Sequence, residues 1–106
     1  MDYTVYILRC ADGSYYTGVT NDLARRVFEH EQCTDPKSYV FKRRPLKLVY
    51  SANFEDINEA ISWEKTIKRW SRKKKEALIK GDEEALKQLS KRYTRYIPKR
   101  HPPVSP

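Results

Sequence analysis

Two runs rich in β-branched and aromatic residues, Tyr3–Arg9 (YTVYILR) and Ser14–Val19 (SYYTGV), flank Ala11-Asp12-Gly13. Strand-forming runs this close together around an Asp-Gly pair are committed to a β-hairpin. From Asn21 the apolar period lengthens from two residues to that of a helix. Asn21 or Asp22 can cap a helix carrying Leu23, Ala24, Val27 and Phe28 on one face and running to about Gln32. Cys33–Pro45 is irregular and basic and reads as a surface loop, and Leu46–Phe54 reads as a third strand. Asp56 opens a helix through about Trp70. Ser71 caps a second, to Ile79 or Lys80, and Gly81 stops it; Asp82 then begins a third helical stretch through about Arg92. The order β-β-α-β-α-α(-α) describes an α+β fold, a small three-stranded antiparallel sheet flanked by helices.

A chain of 106 residues holds one such domain, assigned to residues 1–92. Tyr93–Pro106 carries four of the six prolines and is expected to be a poorly ordered basic tail. MDYTVYILRC lacks the basic, apolar, small-residue order of a secretory signal. No apolar run approaches the roughly 18 residues of a membrane span, so a cytoplasmic protein with no membrane partner is expected. Cys10 and Cys33 are expected as a reduced pair. With only His30 and His101 beside them, a structural zinc site is excluded and any metal is held mainly by oxygen. Twenty-two Lys and Arg against fourteen acids leave a net charge of +8. Such a surface attracts phosphate polyanions, although anionic membranes, acidic proteins or plain solubility would use the same charge.

The hairpin register decides whether its tyrosines can act together. A two-residue Asp-Gly loop would pair Leu8 with Thr17 and leave Tyr6 and Tyr16 on opposite faces. A three-residue loop with Gly13 left-handed pairs Leu8 with Tyr16 and Tyr6 with Gly18. The second register sets both phenols diagonally on one face, with Gly18 leaving space for a ligand. On the first helix Arg26 and His30 lie one turn apart, flanking the Leu23/Val27 stripe, while Arg25 and Glu29 turn toward water. A guanidinium in that position offers a planar fork of donors to a phosphate. On the long helix Ile57, Ala60, Ile61 and Ile67 define a stripe, and the position completing it is Glu64. A carboxylate there is costly unless it is paired or binds metal. Beyond it Lys65, Lys68, Arg69, Arg72 and Lys73, with Lys74 and Lys75, surround Trp70 as a basic surface suited to phosphate backbone.

Taken together these residues resemble the GIY-YIG nuclease superfamily, over roughly residues 3–75. The first family tripeptide stands here as Thr4-Val5-Tyr6 and the second as Tyr16-Thr17-Gly18, followed by Arg26, His30 and Glu64. Thr4 replaces the family's first glycine, and Val19 stands where some relatives carry lysine. The resemblance implies a three-stranded antiparallel sheet with flanking helices and a single site made by Tyr6, Tyr16, Arg26, His30 and Glu64. It further implies that Glu64 binds one divalent ion, Mg²⁺ with Mn²⁺ as a substitute. Arg26 would clamp the scissile phosphate, and one of the two tyrosines, assisted by His30, would activate water. The expectation is a metal-dependent endonuclease acting on branched, damaged or single-stranded DNA in repair or recombination, with a protein partner for activation left open. Two other readings stand beside it: a module of the same fold that binds nucleic acid without cutting it, and a protein-interaction domain.

Overall fold

The computed structural model describes residues 2–89; the expected tail, and the last helix beyond Leu89, lie outside the described residues. The hairpin consists of β1 (Tyr3–Arg9) and β2 (Tyr15–Thr20), followed by α1 (Leu23–Glu31) and β3 (Lys47–Phe54). Three helices complete the order: α2 (Ile57–Lys68), α3 (Arg72–Lys80) and α4 (Glu83–Leu89). The sheet is antiparallel with strand order β2-β1-β3. This is the α+β architecture that the segment order implied.

Local chemistry explains most of the boundaries. Gly13 takes φ of +86°, and the Gly13 N–H donates to the Cys10 carbonyl at 2.9 Å. Cys10 N–H donates to the Ser14 carbonyl at 2.8 Å, closing a three-residue loop over Ala11-Asp12-Gly13. Asp22 is the residue that caps α1, accepting from Arg25 N–H; Asp56 and Ser71 cap α2 and α3 in the same way. Gly81 ends α3 in a left-handed conformation that a residue with a Cβ adopts only at a cost.

Because β1 is the central strand, both of its faces are covered, and Val5, Tyr6, Ile7 and Leu8 are all buried. Val5 and Ile7 join Tyr50, Ala52, Ala60, Trp63, Ile67 and Trp70 in the main core beneath α2 and α3. Tyr6 and Leu8 face the other side, toward α1 and the segment between α1 and β3, where Val40 is fully buried. The β1–β3 register shifts between Ile7 and Leu8: Ile7 faces Tyr50 and Leu8 faces Leu48, so Val49 is the extra residue of a bulge.

Two apolar faces differ from the sequence expectation. On α2 the buried positions are Ala60, Trp63, Glu64 and Ile67, while Ile57 is exposed and Ile61 only half-buried. The two tryptophans decide this rotation. Trp63 and Trp70 meet edge to face at 5.4 Å between centroids, and Trp63 Nε1 donates to the Tyr50 hydroxyl at 3.1 Å. Large flat side chains bury more area than Ile57 and Ile61, so the helix turns toward them. On α1, Ala24 is exposed and Phe28 is 63% exposed, and the only fully buried residue is His30. Leu23 and Val27 are half-buried, His30 is the residue that meets the sheet at Tyr6 and Tyr16, and Phe28 lies about 100° around from Val27.

Candidate active site

The hairpin register is the three-residue one: Leu8 opposite Tyr16 and Tyr6 opposite Gly18. Tyr6 and Tyr16 therefore project from the same face, with ring centroids 6.4 Å apart. The space left by Gly18 is not open to a ligand. A Cβ at Gly18 would lie 2.5 Å from Tyr6 Oη and 2.7 Å from its Cζ, so the ring of Tyr6 itself fills the gap. The glycine is required by its neighbour's ring rather than by backbone conformation.

From α1, His30 reaches into this face. Its Nε2 lies 3.0 Å from the Tyr6 hydroxyl, and its ring meets Tyr16 edge-on at 5.0 Å. Burial, followed by the positive charge of Arg26, holds the imidazole below its ordinary pKa, so it is neutral at pH 7. In the tautomer whose Nε2–H donates to the Tyr6 hydroxyl, the Nδ1 lone pair is left to accept a proton. Tyr6 is pushed above the ordinary phenol value, chiefly by burial. Its hydrogen bond with Arg26 pulls the other way, and the fields of Tyr16 and Glu64 add to the rise. Tyr6 is 1% exposed and Tyr16 half-buried, so Tyr16 is the phenol that fronts solvent. Arg26, exposed on α1, also holds Nη1 3.4 Å from Glu29 Oε1.

Glu64 approaches from α2, on the helix layer under the opposite face of the sheet, yet its charge is felt at the Tyr6 phenol. It is 9% exposed, and its Oε2 pairs with Lys68 Nζ at 2.5 Å. Among the described residues no three His, Cys, Asp or Glu side chains gather into a metal cage. A lone carboxylate does fit a hard divalent ion whose other ligands are water and phosphate oxygens. Cys10 is buried and Cys33 half-buried, both as free thiols.

The basic residues after Glu64 divide by local partner. Lys68 is the counter-ion of Glu64. Arg72 donates to the Gly13 carbonyl at 2.7 Å, pairs with Glu76 at 3.2 Å and lies over the Tyr15 ring, pinning α3 to the hairpin loop. Lys74 is buried with Nζ 4.3 Å from the Trp70 ring centroid. Lys65, Arg69 and Lys73 face solvent. Thr4, at the family's first glycine position, pairs across to Thr20 and Asn53 and donates from Oγ1 to Asn53 Oδ1 at 2.8 Å.

A side-chain cluster outside the sequence expectation adjoins Tyr16. The Tyr39 ring centroid lies 5.8 Å from that of Tyr16, and the Arg43 guanidinium sits 4.0 Å above the Tyr39 centroid. The only sequence signal was a pair of aromatics in a basic loop, Tyr39 and Phe41 among Lys37, Lys42, Arg43 and Arg44.

The model of the GIY-YIG catalytic domain matches residues 2–77 of this chain. The chain belongs to the GIY-YIG family. That is a family of nucleases, which generally use divalent metal ions. Among similar proteins, UPF0213 protein DP2720 of Desulfotalea psychrophila is 42% identical over 82 residues, 77% of this chain and 74% of its own. UPF0213 protein BH0048 of Halalkalibacterium halodurans is 44% identical over 79 residues, 74% of this chain and 83% of its own. These names state no activity. Two solution NMR structures share the GIY-YIG-like fold. That of UPF0213 protein BH0048 from Bacillus halodurans has a TM-score of 0.51 at 41% identity, covering 85% of this chain and 98% of that one. That of protein EF2693 from E. faecalis has a TM-score of 0.57 at 36% identity, covering 76% and 85%. Among the described residues no helix is long and apolar enough to cross a membrane.

Proposed function

We propose that this GIY-YIG domain is a metal-dependent endonuclease that hydrolyses phosphodiester bonds in DNA. The observation that carries the reading is the convergence of a neutral, buried His30 on Tyr6 and Tyr16, with Arg26 beside them and Glu64 within electrostatic reach. A general base needs a pKa near or below the working pH, which a depressed imidazole has and a phenol near 10 lacks. In this reading Tyr16, the solvent-facing phenol, orients the attacking water. With His30 Nε2–H donated to the Tyr6 hydroxyl, which fixes the imidazole from below, His30 accepts the water's proton at Nδ1. Arg26 neutralises the charge that builds on the phosphoryl oxygens. A divalent ion held by Glu64, Mg²⁺ or in its place Mn²⁺, would stabilise the leaving oxygen. Water oxygen bonds to phosphorus as the phosphorus–leaving-oxygen bond breaks, and the leaving oxygen is protonated from solvent. Lys65, Arg69 and Lys73 supply phosphate-backbone contacts around the site.

Purified protein with labelled branched or single-stranded DNA and Mg²⁺ should give discrete cleavage products that vanish on chelation. Arg26→Ala should slow cleavage by about 10²–10³-fold, the usual cost of removing one donor to a developing oxyanion. Binding without products in wild type and variant alike would favour the second reading, a nucleic-acid-binding module. The Lys68 pair that neutralises Glu64 is compatible with that reading too.

The pH dependence has a definite sign. His30 has its pKa lowered, so its neutral form dominates above that value and is lost as pH falls through it. Cleavage should therefore hold near neutrality and decline on acidification, at a midpoint below the ordinary imidazole value of about 6.5. His30→Gln should flatten this acid limb while lowering the plateau. A limb unchanged in the variant would remove His30 from the proton path.

A further inference from the structure

Between α1 and β3 the chain makes a series of turns that are tied down at several points. Ser38 N–H donates to the Asp35 carbonyl at 3.0 Å, and Phe41 N–H to the Ser38 carbonyl at 3.1 Å. Val40 is fully buried, and Arg44 Nη1 donates to the Glu31 carbonyl at 2.8 Å. Arg43 is the centre of this arrangement. Its Nε donates to Asp12 Oδ2 at 3.0 Å and its Nη1 to the Tyr39 carbonyl at 2.7 Å. Its own carbonyl accepts from Ala11 N–H at 2.8 Å. The hairpin loop and the Tyr39 turn are thereby clamped together, with the Arg43 charge answered by Asp12.

Tyr39 is what the clamp presents. Its ring is covered on one face by the Arg43 guanidinium and stands beside Tyr16, yet the residue remains 41% exposed. A large aromatic side chain left open to water, while a neighbouring valine is fully buried, is not contributing to the core. Arg43, engaged by Asp12 and by the Tyr39 carbonyl, is not poised as a phosphate ligand either. A cation over the ring and an aromatic side chain with this much surface in water are the two elements that stack a nucleobase on a single-stranded nucleic acid site. Lys37 and Lys42 are exposed on the same turns and suit the flanking phosphates.

We propose that Tyr39, held by Arg43, is a stacking wall for a nucleobase turned out of its strand beside the scissile phosphate. The site then selects DNA that can present an unpaired nucleotide there, and Tyr39 sets specificity without being a catalytic residue. The proposal rests on the nucleic-acid reading of the neighbouring site, and its test uses binding without metal so that cleavage does not enter.

Wild type, Tyr39→Ala and Tyr39→Phe are titrated in chelator against a single-stranded oligonucleotide, the same oligonucleotide with one abasic position, and a blunt duplex. Folding of each variant is checked by circular dichroism. Tyr39→Ala should weaken single-strand binding about tenfold, the lower part of the range for losing one stacked base. Tyr39→Phe should bind as wild type does, and duplex affinity should be the same in all three. A single abasic position, moved along the strand, should at one placement weaken wild type while leaving Tyr39→Ala unaffected. Wild type that binds single strands while Tyr39→Ala binds them equally well, or loses single strand and duplex alike, overturns the stacking wall and leaves the nuclease reading standing. Wild type with no affinity for any of the three at low salt overturns both.

Discussion

Glu64→Gln should reduce DNA cleavage by at least about a thousandfold, or some 4 kcal/mol of transition-state stabilisation, while the protein stays folded and still binds DNA. The reasoning begins with the placement of the carboxylate. Glu64 is on the inward face of α2 beside Ala60, Trp63 and Ile67, where an apolar residue would ordinarily serve better. Its ion-pair partner, Lys68, has a side chain that is 55% exposed, and such pairs contribute at most about 1 kcal/mol. Stability therefore does not require the charge, and the near-isosteric amide should keep the packing. The amide lacks the negative charge that a hard cation needs, and among the described residues no three His, Cys, Asp or Glu side chains gather into a metal cage that could take its place. DNA affinity without metal should hold or rise, since a negative charge near the phosphate has been removed. Single-turnover rates across a Mg²⁺ titration, with binding measured separately in chelator, decide the matter. Cleavage by the variant at the wild-type rate would end the assignment of Glu64 as metal ligand.

Gly18→Ala should cost about 1–3 kcal/mol of stability and also abolish activity, an unusual outcome for a single methyl group on an edge strand. The new Cβ would fall well inside contact distance of both Oη and Cζ of Tyr6. Tyr6 is buried between β2 and α1 with His30 on its hydroxyl, so the ring cannot simply swing into water. Either the ring leaves its rotamer and loses His30, or β2 separates from β1. In a domain this small the loss corresponds to a fall of roughly 5–20 °C in the unfolding midpoint. Adding Tyr6→Leu should restore most of the stability, because the clash is gone, but none of the activity. That pattern is a coupling between contacting residues. A Gly18→Ala protein that unfolds at the wild-type temperature and cuts normally would show that Tyr6 does not need its observed place.

The hairpin was legible in the sequence because it depends on neighbours within about ten residues, and the choice of register was narrowed to two, which the structure decided. Ala11-Asp12-Gly13 could close as a two-residue or a three-residue loop, and the parity that aligns Tyr6 with Tyr16 belongs to the three-residue one that forms. Glu64 was legible for a similar reason: helical periodicity is local, and a carboxylate inside an apolar series stands out. The rotation of α2 was not, since Ile57 and Trp63 are both apolar and only the sheet beneath chooses between them. The same holds for Phe28, exposed because α1 meets a face already filled by Tyr6, Tyr16 and His30.

Within the basic segment, charge alone could not separate Lys68, Arg72 and Lys74, which hold Glu64, the hairpin loop and the Trp70 ring, from Lys65, Arg69 and Lys73, which face water. Nor could it pair Arg43 with Asp12, thirty-one positions earlier, or set Tyr39 against Tyr16. What the order of residues determined by itself is the alternation, the caps and turns, and the misplaced carboxylate, all properties of short stretches of backbone. Which phenol lies buried, which cation is already engaged and which aromatic is left open depend on the β2-β1-β3 strand order and its packing, because those contacts join residues far apart along the chain.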